Sequence, residues 1–312
     1  MLGKKGRNSI LVMLSTYNGE KFLRKQLDSI INQENVSVYL LIRDDGSTDG
    51  TLQILDEYKS LYPHIITIYK GVNIGCARSF RYLMEQANAF ALFLPDFYAF
   101  CDQDDIWMND KLERAANALS IYDSTLPNLF FSHFKEIDEW ENELYTEDKA
   151  FNFSFGEALI MNPSVGCTQV FNKVCLENSL RCNPPQAILH DWWIYSLCLA
   201  LSGNVIYDCD ALVLYRQHSS NVLGARHISR FRKLYNWLYK KNNNLCMHLA
   251  ESIYNNYGSQ MNSVNRRLVR LCLEYKKSIF CRFRLLVSLS KFKTINRDVN
   301  CGFVLSVLFG KF

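Results

Sequence analysis

The segment Cys101-Asp102-Gln103-Asp104-Asp105 is the stretch of the chain best suited to chemistry. It places three carboxylates within four positions, directly after the apolar, aromatic residues 97–100. Neighbouring carboxylates repel one another and raise each other's pKa unless a cation lies among them. Mg²⁺ and Mn²⁺ prefer oxygen ligands, and Mg²⁺ commonly completes its coordination with water and substrate phosphates. The segment therefore predicts a metal and diphosphate site at the carboxyl end of a strand.

An acidic cluster of this kind can also be a solvated turn or a calcium-binding loop. Four acidic residues between positions 102 and 113 have the spacing of EF-hand ligands. However, Ile106 occupies the position of a further oxygen ligand, and Trp107 occupies the position that requires glycine. The calcium loop is therefore excluded, while the solvated turn remains an alternative at this point.

Short apolar runs alternate with helical patterns in the first hundred residues. Strands are predicted at residues 9–14, 38–42, 65–69 and 97–101, with a helix after each of the first three. This alternation, with a unit of roughly 25–30 residues, is typical of right-handed βαβ units and a parallel sheet. The predicted fold class is α/β, a mostly parallel sheet flanked by helices.

Polar residues follow three of these strands at the point where each ends. They are Thr16 and Tyr17, then Asp44 and Asp45, then the acidic cluster. Ligands of such sheets bind beyond the carboxyl ends of the strands, so these groups should converge on one crevice. The chain contains neither Gly-x-Gly-x-x-Gly after the first strand nor Gly-x-x-x-x-Gly-Lys. A dinucleotide dehydrogenase and a P-loop phosphotransferase are therefore disfavoured.

The later part of the chain is predicted from the same kinds of pattern. Residues 109–122 and 190–201 are predicted helices, and residues 135–149 a loop. Residues 130–134, 205–207 and 212–215 are predicted as separate short strands, with a small-residue turn in 163–171.

Composition bounds the class of protein and divides the chain in two. Of the 312 residues 48% are hydrophobic, enough for a large core. Residues 227–312 hold 16 Lys and Arg against 3 Asp and Glu, whereas the preceding residues carry a net charge of −9. We therefore expect an acidic domain over residues 1–226 and a basic helical extension over 227–312. Eleven scattered cysteines, no signal peptide and no apolar stretch of 18 residues favour a cytosolic protein without disulfides or membrane spans.

Seven segments, in order, carry a family resemblance over residues 9–224. They are LSTYNGEKFLRKQLDSI, IRDDGSTDGT, NIGCARSF, CDQDDIWMNDKL, GCTQVFN, HDWW and LVLYRQHSSNVLGA. The chain resembles family 2 glycosyltransferases of the GT-A fold, and within them the bacterial rhamnosyltransferase-like enzymes of O-antigen and capsule assembly. The resemblance implies an inverting, metal-dependent transfer from a nucleotide-sugar, with dTDP-rhamnose as the first choice of donor. UDP-glucose, UDP-galactose or a UDP-galactofuranose-type donor is an alternative, as is a non-catalytic nucleotide- or glycan-binding module.

The resemblance also implies roles for several polar residues. Asp102 and Asp104 would hold Mg²⁺ or Mn²⁺ against the diphosphate, with His218 as a third ligand or a diphosphate contact. A single histidine is more often structural, so that alternative stays open for His218. Near the diphosphate a basic residue is expected at Arg78.

Four residues are implied in binding the nucleotide. Asp45, and less strongly Asp44, would contact the base or ribose, and Thr16 and Tyr17 would line the base pocket. Turn chemistry is the alternative for the two aspartates, since Asx turns use the same residue type. A packed tyrosine with a satisfied hydroxyl is the alternative for Tyr17.

Asp191 matches the catalytic base of the family. An acceptor hydroxyl is a weak nucleophile, and a carboxylate within hydrogen-bond reach can take its proton. The alternative is that Asp191 only caps the helix that begins here. Many family members have Glu before this aspartate, so His190 departs from the pattern and its role is open.

The basic extension contains amphipathic, aromatic-rich segments. Such helices fit an anionic membrane surface, where a lipid-linked oligosaccharide acceptor would lie, and imply a peripheral protein at the inner face of the plasma membrane. Plain packing on the catalytic domain and a nucleic-acid patch are alternatives, the second disfavoured. The residues concerned are Phe231, Leu234, Trp237 and Leu238 in the first segment, and Phe280, Phe283, Leu285, Leu286, Val287 and Leu289 in the second.

Overall fold

The computed structural model describes residues 7–89, 94–146, 151–185, 188–218, 245–294 and 297–310. Its centre is one eight-stranded sheet in the described residues. The strands are β1 (Ser9–Thr16), β2 (Ser37–Asp44), β3 (Ile66–Lys70), β4 (Phe97–Cys101), β5 (Ile106–Trp107), β6 (Asn128–Ile137), β7 (Val170–Phe171) and β8 (Asn204–Arg216). Their order across the sheet is β3-β2-β1-β4-β7-β6-β8-β5.

Helices cover both faces of this sheet and continue beyond it. The first seven are α1 (Leu23–Ile31), α2 (Thr51–Leu61), α3 (Cys76–Asn88), α4 (Lys111–Leu119), α5 (Phe155–Ala158), α6 (Lys173–Leu180) and α7 (His190–Ala200). The C-terminal helices are α8 (Leu245–Tyr257), α9 (Ser263–Glu274), α10 (Ile279–Val287) and α11 (Arg297–Leu308). Short 3₁₀ turns lie at Gly166–Thr168 and Leu289–Lys291.

The N-terminal half of the sheet is parallel, as predicted. β1 pairs in parallel with both β2 and β4, and β2 pairs in parallel with β3. Antiparallel pairs occur where β7 joins β4 to β6 and where β5 joins β8. The predicted α/β class, a mostly parallel sheet flanked by helices, is confirmed.

The burial of strand β1 on both faces explains why its sequence is a continuous apolar run. Residues 10–14 are all fully buried, with Ile10, Val12 and Leu14 on one face and Leu11 and Met13 on the other. A central strand covered by helices on both faces has no polar side, so alternation disappears from its sequence.

Two predictions of the later strands are wrong. Residues 205–207 and 212–215 belong to one strand, β8, which pairs in parallel with β6 along its whole length. Register shifts around His133 in β6 accommodate the irregular middle of β8. The predicted loop at 135–149 is also wrong for residues 135–137, because β6 extends to Ile137 and pairs there with β8.

The C-terminal helices share an apolar core with α7. Trp193 and Leu197 of α7 pack in one buried cluster with Ile253 and Tyr257 of α8 and Val269 of α9. The described C-terminal helices therefore pack on the part of the chain that precedes them. The predicted boundary after residue 226, and the amphipathic segment around Trp237, lie outside the described residues.

Two further observations concern the cysteines and the lengths of the helices. All eleven cysteines are free thiols, so no disulfide is formed. Among the described residues no helix has the length and apolarity needed to cross a bilayer.

Candidate active site

The acidic cluster lies directly beyond β4, as predicted, and Asp105 is its most buried member. Asp105 is 0% exposed, and its Oδ1 accepts a hydrogen bond from the backbone N–H of Arg216 at 3.1 Å. Its buried Oδ2 accepts no N–H or O–H hydrogen bond from the described residues. Ligand atoms of Asp102, Asp105 and Cys167 all lie within 4.8 Å of one another.

The electrostatics of the cluster fit a cation. Burial, then the Asp104 and Asp191 carboxylates, raise the pKa of Asp102 to about 7. Burial, then Asp104 and Asp102, raise the pKa of Asp105 well above its usual value. A divalent cation would relieve this repulsion, and oxygen-rich sites suit Mg²⁺ or Mn²⁺. Burial also raises the pKa of the Cys167 thiol well above its usual value, and sulfur is not the ligand type that Mg²⁺ prefers.

His218 lies at the cluster, where the resemblance placed it. Its Nε2 is 2.7 Å from Oδ2 of Asp104, and its ring centroid is 5.1 Å from that of Phe22. The hydrogen bond shows that His218 orients Asp104. Its role as a metal ligand stays a prediction.

Arg216 holds the acidic cluster in place from behind. Its guanidinium is buried and donates from Nε to the Asp104 carbonyl at 2.8 Å and from Nη1 to the Asp138 carbonyl at 3.2 Å. The group also lies over the Phe22 ring, 4.6 Å from its centroid. Arg216 thus binds the loop after β4 to the turn after β6. Sequence reasoning missed this positioning role, because nothing in Tyr-Arg-Gln-His indicates which carbonyls the arginine meets.

Gln103 joins the cluster to the loop after β1. Its Oε1 accepts the Tyr17 N–H at 2.8 Å, and its Nε2 donates to the Tyr17 carbonyl at 3.1 Å. A Cβ on Gly19 would lie only 2.4 Å from the same Oε1, so a larger residue there would displace the Gln103 side chain from this position. No role was predicted for Gln103, although its position between two aspartates at a strand end was an available signal.

Asp44 is the centre of the turn after β2. Its buried carboxylate accepts hydrogen bonds from Thr16 Oγ1 at 3.0 Å and from the Ser47 N–H at 2.9 Å. The register of the sheet sets Thr16 directly opposite Asp44, which explains the first contact. The turn chemistry that the sequence left open for Asp44 is therefore present, and its contact with a nucleotide stays a prediction.

The Asp45 side chain faces the start of α3 and is 2% exposed. Its oxygens accept the N–H groups of Ile74 and Gly75 at 2.9 and 2.8 Å, and it forms a buried ion pair with Arg43. Asp45 thus anchors the start of α3 to the end of β2. In this arrangement both oxygens are engaged within the protein, and a nucleotide contact by Asp45 stays a prediction.

The remaining predicted donor-site residues differ in exposure. Thr16 is buried and bonded to Asp44, whereas Tyr17 is 47% exposed. Arg78 is exposed in the first turn of α3. Their contacts with a base or diphosphate stay predictions.

Asp191 lies in the first turn of α7 and belongs to the same site as the acidic cluster. Its carboxylate accepts the Trp192 N–H at 2.7 Å, and Asn162 and Gly166 also donate to it. The capping position is occupied by Leu189, so the alternative that Asp191 is the N-cap is wrong. Burial raises the pKa of Asp191 to about 6, which leaves it ionised at neutral pH with unusual basicity for a carboxylate.

His190 packs beneath the site. Its ring stacks on Phe80, 3.9 Å between centroids, and meets Phe100 edge-on at 4.5 Å. Burial lowers the pKa of His190 to about 3, so the imidazole is neutral. A Cβ on Gly166 would lie 3.0 Å from its Nε2, which explains the small residue there. The open role of residue 190 is thus resolved as an aromatic support for the start of α7.

Comparisons with known proteins agree with this geometry. The family model described as glycosyl transferase family 2 matches residues 11–177, more than half of the chain. The dTDP-rhamnosyl transferase RfbG of Shigella flexneri is 34% identical over 229 residues, which cover 68% of this chain and 74% of that protein.

Solved structures show the same fold at low sequence identity. TarS of S. aureus aligns with a TM-score of 0.57 and 16% identity over 86% of this chain and 43% of the TarS chain. Its 1–349 fragment with UDP-GlcNAc gives 0.55 and 14% over 97% and 93% of the two chains. The mannosyltransferase PcManGT of Pyrobaculum calidifontis, with GDP-Man and Mn²⁺, gives 0.51 and 14% over 97% and 88%. The solved structures share the fold, and the family match together with the 34% identical relative shows that the chain belongs to glycosyltransferase family 2.

Proposed function

We propose that this protein is an inverting, metal-dependent glycosyltransferase that transfers L-rhamnose from dTDP-rhamnose to a growing glycan in bacterial surface polysaccharide synthesis. The observation that carries the proposal is the proximity of Asp191 to the acidic cluster, close enough for its charge to raise the pKa of Asp102. A base and a diphosphate site in one crevice are what direct sugar transfer requires. The 34% identity to a dTDP-rhamnosyl transferase supports the choice of donor.

The reaction follows from what these side chains can do. The Asp191 carboxylate accepts the proton of the acceptor hydroxyl, whose oxygen forms a bond to the anomeric carbon. The bond from that carbon to the diphosphate breaks on the opposite face, and the nucleoside diphosphate leaves with the electron pair. Because one displacement occurs, the configuration at the anomeric carbon inverts.

A divalent cation would be held by Asp102 and Asp104, with His218 as a further ligand or as the group that orients Asp104. When bound, it neutralises the charge of the diphosphate. Arg216 and Gln103 keep the loop in position through their bonds to the Asp104 and Tyr17 backbones. The mannosyltransferase solved with Mn²⁺ supports this assignment.

The acceptor proposed here is a lipid-linked oligosaccharide, which places the protein as a peripheral protein at the cytoplasmic face of the membrane. A UDP-hexose donor is the second candidate, favoured by the solved TarS complex with UDP-GlcNAc. A single methyl or hydroxyl in the sugar pocket discriminates modestly, so the fold alone does not choose between these donors.

A donor screen tests the proposal. Calorimetry with dTDP-, UDP- and GDP-sugars in the presence of Mn²⁺ should give the tightest binding for dTDP-rhamnose. Chromatography should then detect transfer to a lipid-linked acceptor by the wild type and not by Asp191→Asn. Binding without transfer by the wild type would identify a non-catalytic binding module. Tighter binding of a UDP-sugar would make that sugar, and not dTDP-rhamnose, the donor.

A further inference from the structure

Helix α10 has two apolar sides, and only one of them packs on other described residues of the protein. Leu285 is fully buried in the C-terminal core together with Phe292 and Phe303. Around the helix, four large apolar residues fall within an arc of about 100° on the side opposite Leu285. They are Ile279, Phe280, Phe283 and Val287, with exposed fractions of 84, 68, 61 and 67%. A contiguous exposed apolar face of this kind marks an interaction surface.

The end of α11 adds to this surface. Arg282 of α10 donates from Nη1 to the Leu308 carbonyl at 3.3 Å, which brings the end of α11 alongside α10. Leu308 and Phe309 there are 49% and 65% exposed. We call these six residues the α10–α11 face: Ile279, Phe280, Phe283, Val287, Leu308 and Phe309.

Basic residues predominate around this face, and the acidic residue Glu274, just before it, pairs with Lys277. Residues 275–294 contain six Lys and Arg and no Asp or Glu. By helical spacing, Arg282 and Arg284 flank the exposed apolar arc on its two sides. Lys276 and Lys277, both exposed, precede the helix. An apolar strip bordered by cations is the pattern of a helix that lies in the interface of an anionic bilayer.

We propose that the α10–α11 face is the surface by which this protein inserts into the headgroup region of an anionic lipid bilayer. The assignment rests on the proposed function, because a lipid-linked acceptor would be presented at such a bilayer. A second copy of the chain fits less well. A symmetric contact through this face would bring the cations of both copies together, whereas anionic headgroups neutralise them. A nucleic acid would match the charge but leave Ile279 and Val287 in water.

Co-flotation of the full-length protein with vesicles tests the surface. The wild type should float with vesicles of phosphatidylglycerol and phosphatidylcholine, and much less with phosphatidylcholine alone. The double variant Phe280→Ser/Phe283→Ser should bind the anionic vesicles about tenfold more weakly, because it loses two inserted rings. Ile121→Ser is the matched control, since Ile121 is 80% exposed just after α4, and it should float like the wild type. Equal flotation of the double variant, or no flotation of the wild type, would overturn the assignment.

Two companion measurements separate the explanations. Light scattering without vesicles should give the same mass for the wild type and the double variant. A mass that halves in the variant would show that a second copy of the chain binds this face, and would overturn the membrane assignment. Transfer to a water-soluble acceptor should be equal in both proteins if the face serves only attachment. Flotation that depends on the two rings, without any transfer by the wild type, would uphold the surface while refuting the proposed function.

Discussion

Two pairs of aspartates border one crevice, and they differ in what surrounds them. Asp44 and Asp45 accept hydrogen bonds from backbone N–H groups, from Thr16 and from Arg43. Asp102 and Asp105 instead face other carboxylates, and Asp105 has a buried oxygen that accepts no N–H or O–H from the described residues. The first pair fixes the loops before any ligand arrives, whereas the second pair is suited to receive one.

The difference has a thermodynamic reason. A buried carboxylate that is saturated with donors stabilises the fold, whereas one that lacks them costs free energy until a cation or proton is supplied. Active sites accept this cost because the unsatisfied groups are the ones that bind and react. The comparison therefore predicts that substitutions in the two pairs have opposite consequences.

The largest effect is expected for Asp191→Asn, which removes the base and keeps the shape of the side chain. The rate of transfer should fall about 10²–10⁴-fold, while calorimetry should detect unchanged nucleotide affinity. Asp110→Asn is the control, because the Asp110 side chain is 48% exposed, and it should keep full activity. A loss of less than tenfold for Asp191→Asn would remove Asp191 from the mechanism.

Asp45→Asn should cost the most stability. It leaves the buried Arg43 guanidinium without its charged partner, and the free energy of unfolding in urea should fall by about 3–5 kcal/mol. Asp102→Asn should not destabilise the metal-free protein, since it removes a charge from a crowded acidic cluster. If both variants lost the same stability, the contrast between the two pairs would be refuted.

Mn²⁺ should stabilise the wild type by filling the acidic cluster. At about 100 times the dissociation constant the gain is about 2.7 kcal/mol, visible as a rise in the unfolding temperature. Asp102→Asn and Asp104→Asn should lose most of this gain, whereas Asp45→Asn should keep it. Retention of the full shift by Asp102→Asn would place the ion elsewhere.

The smallest effects are those of pH. Because the Asp191 carboxyl has a pKa of about 6, kcat/KM of the wild type should decline about tenfold per pH unit below that value. The same carboxyl binds its proton more tightly in the folded than in the unfolded state. Its contribution to stability is therefore greatest at low pH and is lost as the pH rises through 6.

The wild type and Asp191→Asn should accordingly differ in how stability responds to pH. The free energy of unfolding of Asp191→Asn, relative to that of the wild type, should increase as the pH rises from 4 to 7. Denaturation curves at several pH values would detect this gain. Parallel pH profiles for the two proteins would mean that Asp191 is not desolvated.

Much of the N-terminal half of the sheet could be predicted from the amino-acid sequence. The apolar runs of β1 to β4 are local features, and parallel pairing places their carboxyl ends together, so convergence of the polar residues follows. The continuity of β8 could not be predicted, because polar residues such as Asp208 and Asp210 interrupt its pattern. These two form ion pairs with Arg114 of α4, a contact that exists only after folding.

The contact partners of the site residues could not be predicted from the sequence either. Asp45 reads as a ligand-binding residue in its motif, yet it pairs with Arg43 and the start of α3. Gln103 and Arg216 each join two loops of the site, through partners that are distant in the sequence.

The amino-acid sequence by itself determined the α/β class, the family and the identity of the acidic and basic groups, because apolar periodicity and motif order are written along the chain. The tertiary structure alone decided which carboxylates are satisfied and which are not, and which side of α10 remains in water. Burial and hydrogen bonding depend on neighbours that are distant in the chain, and these neighbours set the energy of every charge in the crevice.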